Sequence, residues 1–212
     1  MSIQFHPETL PIKTTQLLVK IESVRPSFLN NFYLSGGTAL SLQLGHRESE
    51  DLDFFSTTPF DPRSLQVELE KLGKLNDLEL SQNTLNGYLD EVKLQFLGYP
   101  YPLLLPLVDY GNTKISSVLD IACTKLQTIG MRGSKKDFVD MYVLLQKYSL
   151  RELLEKIREK YKNVEFNTPH ILKSLVYFVD AEDQVMPRLH TEIEWERVKI
   201  LMIEAVKALK LQ

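Results

Sequence analysis

The stretch Phe32–Ser56, FYLSGGTALSLQLGHRESEDLDFFS, decides the fold. Phe32-Tyr33-Leu34 reads as a short apolar strand that breaks at Ser35-Gly36-Gly37. From Thr38 the pattern turns helical, with Leu40 and Leu44 four apart and Gly45 placed to stop the helix. Asp51 to Phe55 then alternates acid and apolar residues, which suits a strand. Glycines between a strand and a helix let a ligand approach the backbone, and the first amides of the helix point outward unpaired. Together with the positive end of the helix dipole they make a phosphate site. A tight strand-to-helix turn would accept two glycines as well, so Gly36-Gly37 alone leaves both readings open. Asp51 and Asp53 decide between them. Residues i and i+2 on a strand project from one face, and two neighbouring carboxylates repel unless a cation lies between them. Hard oxygen ligands beside phosphates favour Mg²⁺. The alternative, an exposed acidic strand face, sits poorly with Leu52, Phe54 and Phe55 in the same strand.

Outward from this stretch, the first half of the chain mixes helix and strand. Thr14–Val24 reads as a helix carrying Leu17, Leu18 and Ile21 on one side, closed at Arg25-Pro26. Asp61-Pro62 is a cap followed by proline, opening a helix to about Leu72. Leu78–Ser81 and Glu91–Leu97 read as strands, with Asn86-Gly87 between them as a tight turn. From Ser116 onward the strand signals vanish. Helical spacing runs through Ser117–Thr128, Lys136–Lys147, Leu150–Tyr161, Pro169–Ala181 and Glu192–Leu211. Ser149 with Glu152, and Thr191 with Glu194, have capping-box spacing. Leu150, Leu153, Leu154, Ile157 and Tyr161 form an apolar stripe, with a charged and solvated face opposite.

The composition supports a packed core: of 212 residues, 43% are apolar and 25% charged. A net charge of −3 argues against coating nucleic acid by bulk charge, though not against a local basic patch. The single cysteine, Cys123, has no partner for an intramolecular disulfide, in keeping with a reducing, cytoplasmic setting. The greasiest segment, Tyr101–Val108, is interrupted by Pro102 and Pro106 and is too short to span a bilayer, so no membrane association is expected. His6, His46, His170 and His190 share no metal-ligand spacing.

A strand, Gly-Gly, a helix, 13 intervening residues and Asp-x-Asp resemble the DNA polymerase β-like nucleotidyltransferase superfamily. More narrowly, GGTALSLQLGHRESEDLDFF is similar to the AbiEii/AbiGii-type toxin nucleotidyltransferases, including a His46-Arg47-x-Ser49 hinge before the acids. The resemblance continues through DIACTKLQTIGMRGSKKDFVDMYVLL, Asp120–Leu145, and more faintly through SLVYFVDAEDQVMP and the Trp195 helix. It implies an α+β nucleotidyltransferase fold, a mixed sheet flanked by helices, followed by a C-terminal helical bundle. The implied division is an α/β domain over residues 1–112 and a helical domain over 113–212 that completes the active-site cleft.

By the same resemblance, Gly36 and Gly37, assisted by Ser35 or Thr38, hold the β- and γ-phosphates of an NTP. Asp51 and Asp53 bind Mg²⁺. Lys125 contacts the triphosphate, and Asp137 and Asp140 match the family's paired acids, with Asp140 facing the active site. Read without the resemblance, Lys125 is a solvent-facing helix lysine and Asp137 a cap or salt-bridge partner. Arg132, Lys135 and Lys136 form a basic cluster beside Gly133 that either receives RNA or nucleotide phosphates or is simply a polar loop. Arg47 either reaches a phosphate or orients the hinge. The implied activity is transfer of a nucleoside monophosphate to a hydroxyl, at an RNA 3′ end such as that of tRNA. The implied role is a toxin of a toxin–antitoxin or phage-defence system, with a cognate antitoxin as partner.

One position departs from the pattern. Many enzymes of the superfamily carry a third carboxylate on a later strand as general base, and in Val92–Phe96 that position is Gln95. Glutamine cannot take a proton, so either another acid supplies the role or the substrate's own phosphate does, and the base stays unidentified. Gln95 favours a rival, a catalytically silent nucleotide-binding or protein-interaction module, and a further alternative is an enzyme of the same fold that modifies a protein hydroxyl.

Overall fold

The computed structural model describes residues 4–162, 164 and 167–210. The chain divides into two compact units, residues 1–117 and 118–212. The division expected after residue 112 falls inside a hairpin whose second strand belongs to the sheet of the first unit.

The first unit is built on a mixed sheet. Its elements are α1 (Ile12–Val24), β1 (Tyr33–Ser35), α2 (Gly36–Leu44), β2 (Leu52–Ser56), α3 (Pro62–Glu70), β3 (Leu75–Ser81), β4 (Thr84–Leu89), β5 (Val92–Gly98), β6 (Val108–Tyr110) and β7 (Thr113–Ile115). Among the described residues the strand order is β3-β4-β5-β2-β1-β7-β6. β2 is antiparallel to β1 and parallel to β5, and β1 is parallel to β7. The period of two sorts the side chains. Leu34, Phe54, Phe96, Leu85 and Ile115 stand in one register row, all at 0% exposure, and form the core face. Phe28 packs edge-on against Phe54 and Phe96, which stack with centroids 5.0 Å apart. α1 buries Leu17, Leu18 and Ile21 as its spacing predicted, and ends on Arg25 in the left-handed conformation. Asp61 caps α3 by accepting from the Arg63 and Ser64 amides.

Asn86-Gly87 is not a turn: both residues lie inside β4. The turns are at Gln82-Asn83 and at Asp90-Glu91, where φ is 48° and 70°. Two successive positive φ values give the twist that a two-residue hairpin needs, and here an Asp-Glu pair adopts it in place of the usual Asn-Gly. Gly87 serves close packing instead. It faces the irregularity in β3 between Asn76 and Glu79, where a Cβ would lie 3.2 Å from the Asn76 carbonyl oxygen. β6 and β7, at three residues each, are too short to show a period in sequence.

The second unit is helical: α4 (Val118–Met131), α5 (Lys135–Leu145), α6 (Leu150–Lys160), α7 (Thr168–Leu175), α8 (Val179–Glu182) and α9 (Trp195–Lys210). α4 packs against α5, α6 and α7, and α9 covers the same three. The Ser149 hydroxyl caps α6 through the Glu152 amide at 3.1 Å. The charged face of α6 is not wholly solvated, because Lys160 is 2% exposed and pairs with the equally buried Asp120 at 2.6 Å. The helix expected over Pro169–Ala181 breaks at Val176–Phe178. Phe178 joins Phe138 and Trp195 in an aromatic cluster, with centroids 5.2–5.9 Å apart. The Thr191–Glu194 box does not open a helix either. α9 starts at Trp195, whose indole is held by that cluster and by the Glu182 carboxylate. Burial pushes the Cys123 thiol up to about 12, so it is an unreactive core residue. Among the described residues, no helix is long and apolar enough to cross a membrane.

Candidate active site

β1 ends at Ser35 and α2 begins at the next residue, with Gly36 at φ 67° making the joint. L-residues with a side chain pay for that conformation and glycine does not. The space around the two glycines is as restrictive as their dihedrals. A Cβ on Gly36 would lie 2.2 Å from Asp53 Oδ2, so the Asp53 carboxylate rests directly against the first residue of α2. A Cβ on Gly37 would lie 2.6 Å from Arg47 Nη2 and 3.1 Å from Ser49 Oγ. The chain leaving α2 thus wraps back under the start of that helix. Thr38, wholly buried, donates to the Asp51 carbonyl at 2.5 Å and stands 2.9 Å from Ser49 Oγ. Thr14 and Thr9 hold the segment from the other side, through the Glu50 carbonyl and the Ser49 amide. Arg47 is 3% exposed and donates to the Glu48 carbonyl at 2.8 Å, while its other guanidinium nitrogen lies against Gly37.

Across the sheet, Asp53 is the register partner of Ser35 on one side and Gln95 on the other, and Gln95 pairs in turn with Asn86. Register partners point to the same face, so these four side chains form a polar row opposite the core face. Ser116 extends the row by donating to Ser35 Oγ at 2.8 Å. At the far end, Gln95 Nε2 donates to Asn86 Oδ1 at 3.0 Å. Asp51 lies one residue before β2, with its carbonyl fixed by Thr38.

The remaining candidates are in the helical unit. Lys125 Nζ lies 2.9 Å from Asp137 Oδ1 and 2.5 Å from Asp140 Oδ2, and both carboxylates are fully buried. Ser134 donates to the second oxygen of Asp137, and Arg132, largely exposed, stands 3.9 Å from it. Lys135 is withdrawn from the basic loop: it is buried, donates to the Glu182 carbonyl and lies over the Trp195 ring.

The sheet face therefore gathers Ser35, Gly36, Gly37, Arg47, Asp51 and Asp53 around one strand-to-helix joint, and α4 and α5 gather Lys125, Asp137 and Asp140. Two members of the polar row went unnoticed in the sequence. Asn86 was hidden by its Asn-Gly dipeptide, although Leu85, Gly87 and Leu89 alternate as a strand would. Ser116 was hidden because the β7 before it is so short.

The family model of the nucleotidyl transferase AbiEii toxin of type IV toxin–antitoxin systems matches residues 17–101, from α1 to just past β5. An uncharacterized protein of Aquifex aeolicus is 41% identical over 184 residues, covering 84% of this chain and 87% of that one. The chain belongs to the AbiEii nucleotidyl transferase toxin family. Among solved structures, MenT4, a nucleotidyltransferase toxin of Mycobacterium tuberculosis, is similar with a TM-score of 0.55 and 13% identity. That likeness covers 93% of this chain and 86% of MenT4. JHP933 of Helicobacter pylori is similar with a TM-score of 0.53 and 17% identity, over 96% of each chain. At such identities these likenesses establish the fold, a nucleotidyltransferase-type mixed sheet with a C-terminal helical region.

The family implies an NTP substrate, and the negative charge of a triphosphate makes a cation the group to test against the acids of this site. Among the described residues no three His, Cys, Asp or Glu side chains gather as a metal cage. Mg²⁺ characteristically takes only one or two carboxylates and completes its shell with substrate phosphates and water, so Asp51 and Asp53 beside the start of α2 are a donor set that would fit it.

The Gly36 contact gives a direct test. Gly36→Ala should cost about 1–2 kcal/mol for the left-handed backbone and displace the Asp53 carboxylate. Calorimetry should show a lowered melting point and Mg²⁺-dependent NTP binding weakened at least about tenfold, the worth of one charge-assisted contact. Unchanged NTP affinity would separate Asp53 from the nucleotide.

Proposed function

We propose that the protein transfers a nucleoside monophosphate from an NTP to a hydroxyl at the 3′ end of an RNA such as tRNA, in a Mg²⁺-dependent reaction restrained by a cognate antitoxin. The observation that carries this reading is the contact of Asp53 Oδ2 with Gly36. A carboxylate against the positive start of a helix supports this reading, because outward amides at such a start bind phosphate. A carboxylate beside a phosphate group is repulsive unless a cation joins them.

In this reading the Gly36 and Gly37 amides hold the terminal phosphates, and Arg47, buried against Gly37, adds positive charge beneath them. Thr38 and Ser49 act on the protein rather than on the nucleotide, by fixing the Asp51 backbone relative to α2. Asp51 and Asp53 would hold Mg²⁺, which supplies charge neutralisation for the departing pyrophosphate. The acceptor hydroxyl oxygen bonds to the α-phosphorus, the bond from that phosphorus to the bridging oxygen of pyrophosphate breaks, and pyrophosphate leaves with the electron pair.

The test is incubation of the protein with each labelled NTP and either total RNA or total protein, with and without Mg²⁺. Label should enter RNA 3′ ends only when Mg²⁺ is present. A second reading, a catalytically silent nucleotide-binding module, is favoured by Gln95 at the position of the usual third acid. NTP binding without label entering either pool would establish it, and label in protein would replace RNA as the acceptor class.

A further inference from the structure

We infer that Gln95 is an acceptor-binding residue, and that Asn86 positions it. Its carboxamide takes a hydrogen bond from the attacking hydroxyl without removing the proton. The inference rests on the transfer reading above, and adds to it how the acceptor is held.

Three observations support it. Gln95 is the direct register partner of Asp53 on a parallel strand, so its side chain stands one strand spacing from the carboxylate on the same face. It is half-buried, in keeping with a group beside a site rather than one loose in solvent. Its orientation is set, because Nε2 is spent on Asn86 Oδ1 at 3.0 Å. An amide whose nitrogen is held by one neighbour presents its oxygen away from that neighbour, and here Asn86 lies on the strand opposite to β2. Gln95 Oε1 is thereby left as the acceptor on the Asp53 side. A carbonyl oxygen accepts from a hydroxyl but cannot take its proton at any working pH.

A third carboxylate in this row would add a negative charge beside Asp51 and Asp53, close to the incoming phosphates. The carboxamide keeps the hydrogen-bonding geometry and removes that charge. During transfer the oxygen–phosphorus bond forms and pyrophosphate leaves with the electron pair, while the O–H bond breaks and its proton leaves the Gln95 hydrogen bond for a phosphate oxygen of the substrate. Phosphoryl transfer relies chiefly on positioning and charge neutralisation, so it tolerates the lack of a protein base at some cost in rate.

The experiment is steady-state transfer to the pool that the wild type labels, for wild type, Gln95→Ala, Asn86→Ala and the double variant. NTP affinity is measured in parallel by calorimetry. Gln95→Ala should raise the acceptor KM about tenfold, the worth of one hydrogen bond to an oriented partner, and leave NTP affinity unchanged. Asn86→Ala should raise it less, and the double variant should match Gln95→Ala, because Asn86 acts through Gln95. Unchanged acceptor KM in Gln95→Ala, or weakened NTP binding in it, overturns the assignment while the transfer reading stands. Additive effects of the two alanines overturn the role of Asn86. No labelling by wild type overturns both the assignment and the transfer reading.

Discussion

Asp53→Asn is expected to lower nucleotide transfer by about a thousandfold, the scale on which removal of one electrostatic stabiliser from a transition state is felt. The substitution is isosteric, so Gly36 keeps its room and the strand keeps its place between β1 and β5. What changes is charge: a neutral amide against the helix start can neither share a cation with Asp51 nor repel a bare phosphate. Mg²⁺-dependent NTP binding should therefore fall, while binding without Mg²⁺ holds or improves. Stability should be unchanged or slightly higher, because two neighbouring carboxylates become one. Asp51→Asn should behave alike, since Thr38 fixes the Asp51 backbone and not its carboxylate. Single-turnover assays at saturating NTP, with titration calorimetry, measure both effects. Wild-type transfer in either variant would remove these acids from the site.

The second large effect is on stability. Lys125→Ala should cost about 3–5 kcal/mol, the range for breaking a buried ion pair by removing one partner. Asp137 and Asp140 have no exposed surface, and both lie on Lys125 Nζ. Without the lysine, two carboxylates remain buried in the α4–α5 interface, and beside Asp137 stand Ser134 and the distant Arg132 guanidinium. Denaturant unfolding of wild type, Lys125→Ala and Lys125→Ala with Asp137→Asn measures it. The second substitution should restore part of the loss by neutralising one buried charge, although Asp137→Asn alone should destabilise the wild type by weakening its pairing with Lys125. A loss below about 1 kcal/mol, the range of an exposed pair, would contradict the burial of the cluster. Any role of Lys125 in transfer is then read from the turnover of molecules that remain folded, after the fraction unfolded has been measured.

Much of the fold was legible in the sequence because its signals are local. Gly36-Gly37 supplies the left-handed joint between an apolar strand and a helix, and Gly45 at the helix end, Asp61 before Pro62 and Ser149 before Glu152 each satisfy backbone groups within a few residues. For Asp51 and Asp53 the spacing gave an expectation of one face, and of the two only Asp53 lies within β2. Where distant residues competed, local reading failed. Asn86-Gly87 has turn chemistry, yet β3 and β5 on its two sides hold it in a strand. The segment after Leu175 has helical spacing, yet packing of Phe178 against Phe138 and Trp195 interrupts it.

The sequence by itself determined the order of strand, glycine pair, helix and acidic strand, and with it the family and the identity of the phosphate and metal candidates. Those features depend on dihedral preference and on a period of two, which a chain carries wherever it lies. Only the tertiary structure decided what each group touches. Asp53 reaches Gly36 because β1 and β2 pair with Ser35 opposite Asp53. Gln95 acquires a fixed orientation because β4 brings Asn86 beside it. Lys125, which alone reads as a solvated helix lysine, is buried because α5 returns two carboxylates to it. Register and burial arise from contacts between segments far apart in sequence. The free energy of those contacts, which exceeds any single residue's preference, settled these positions.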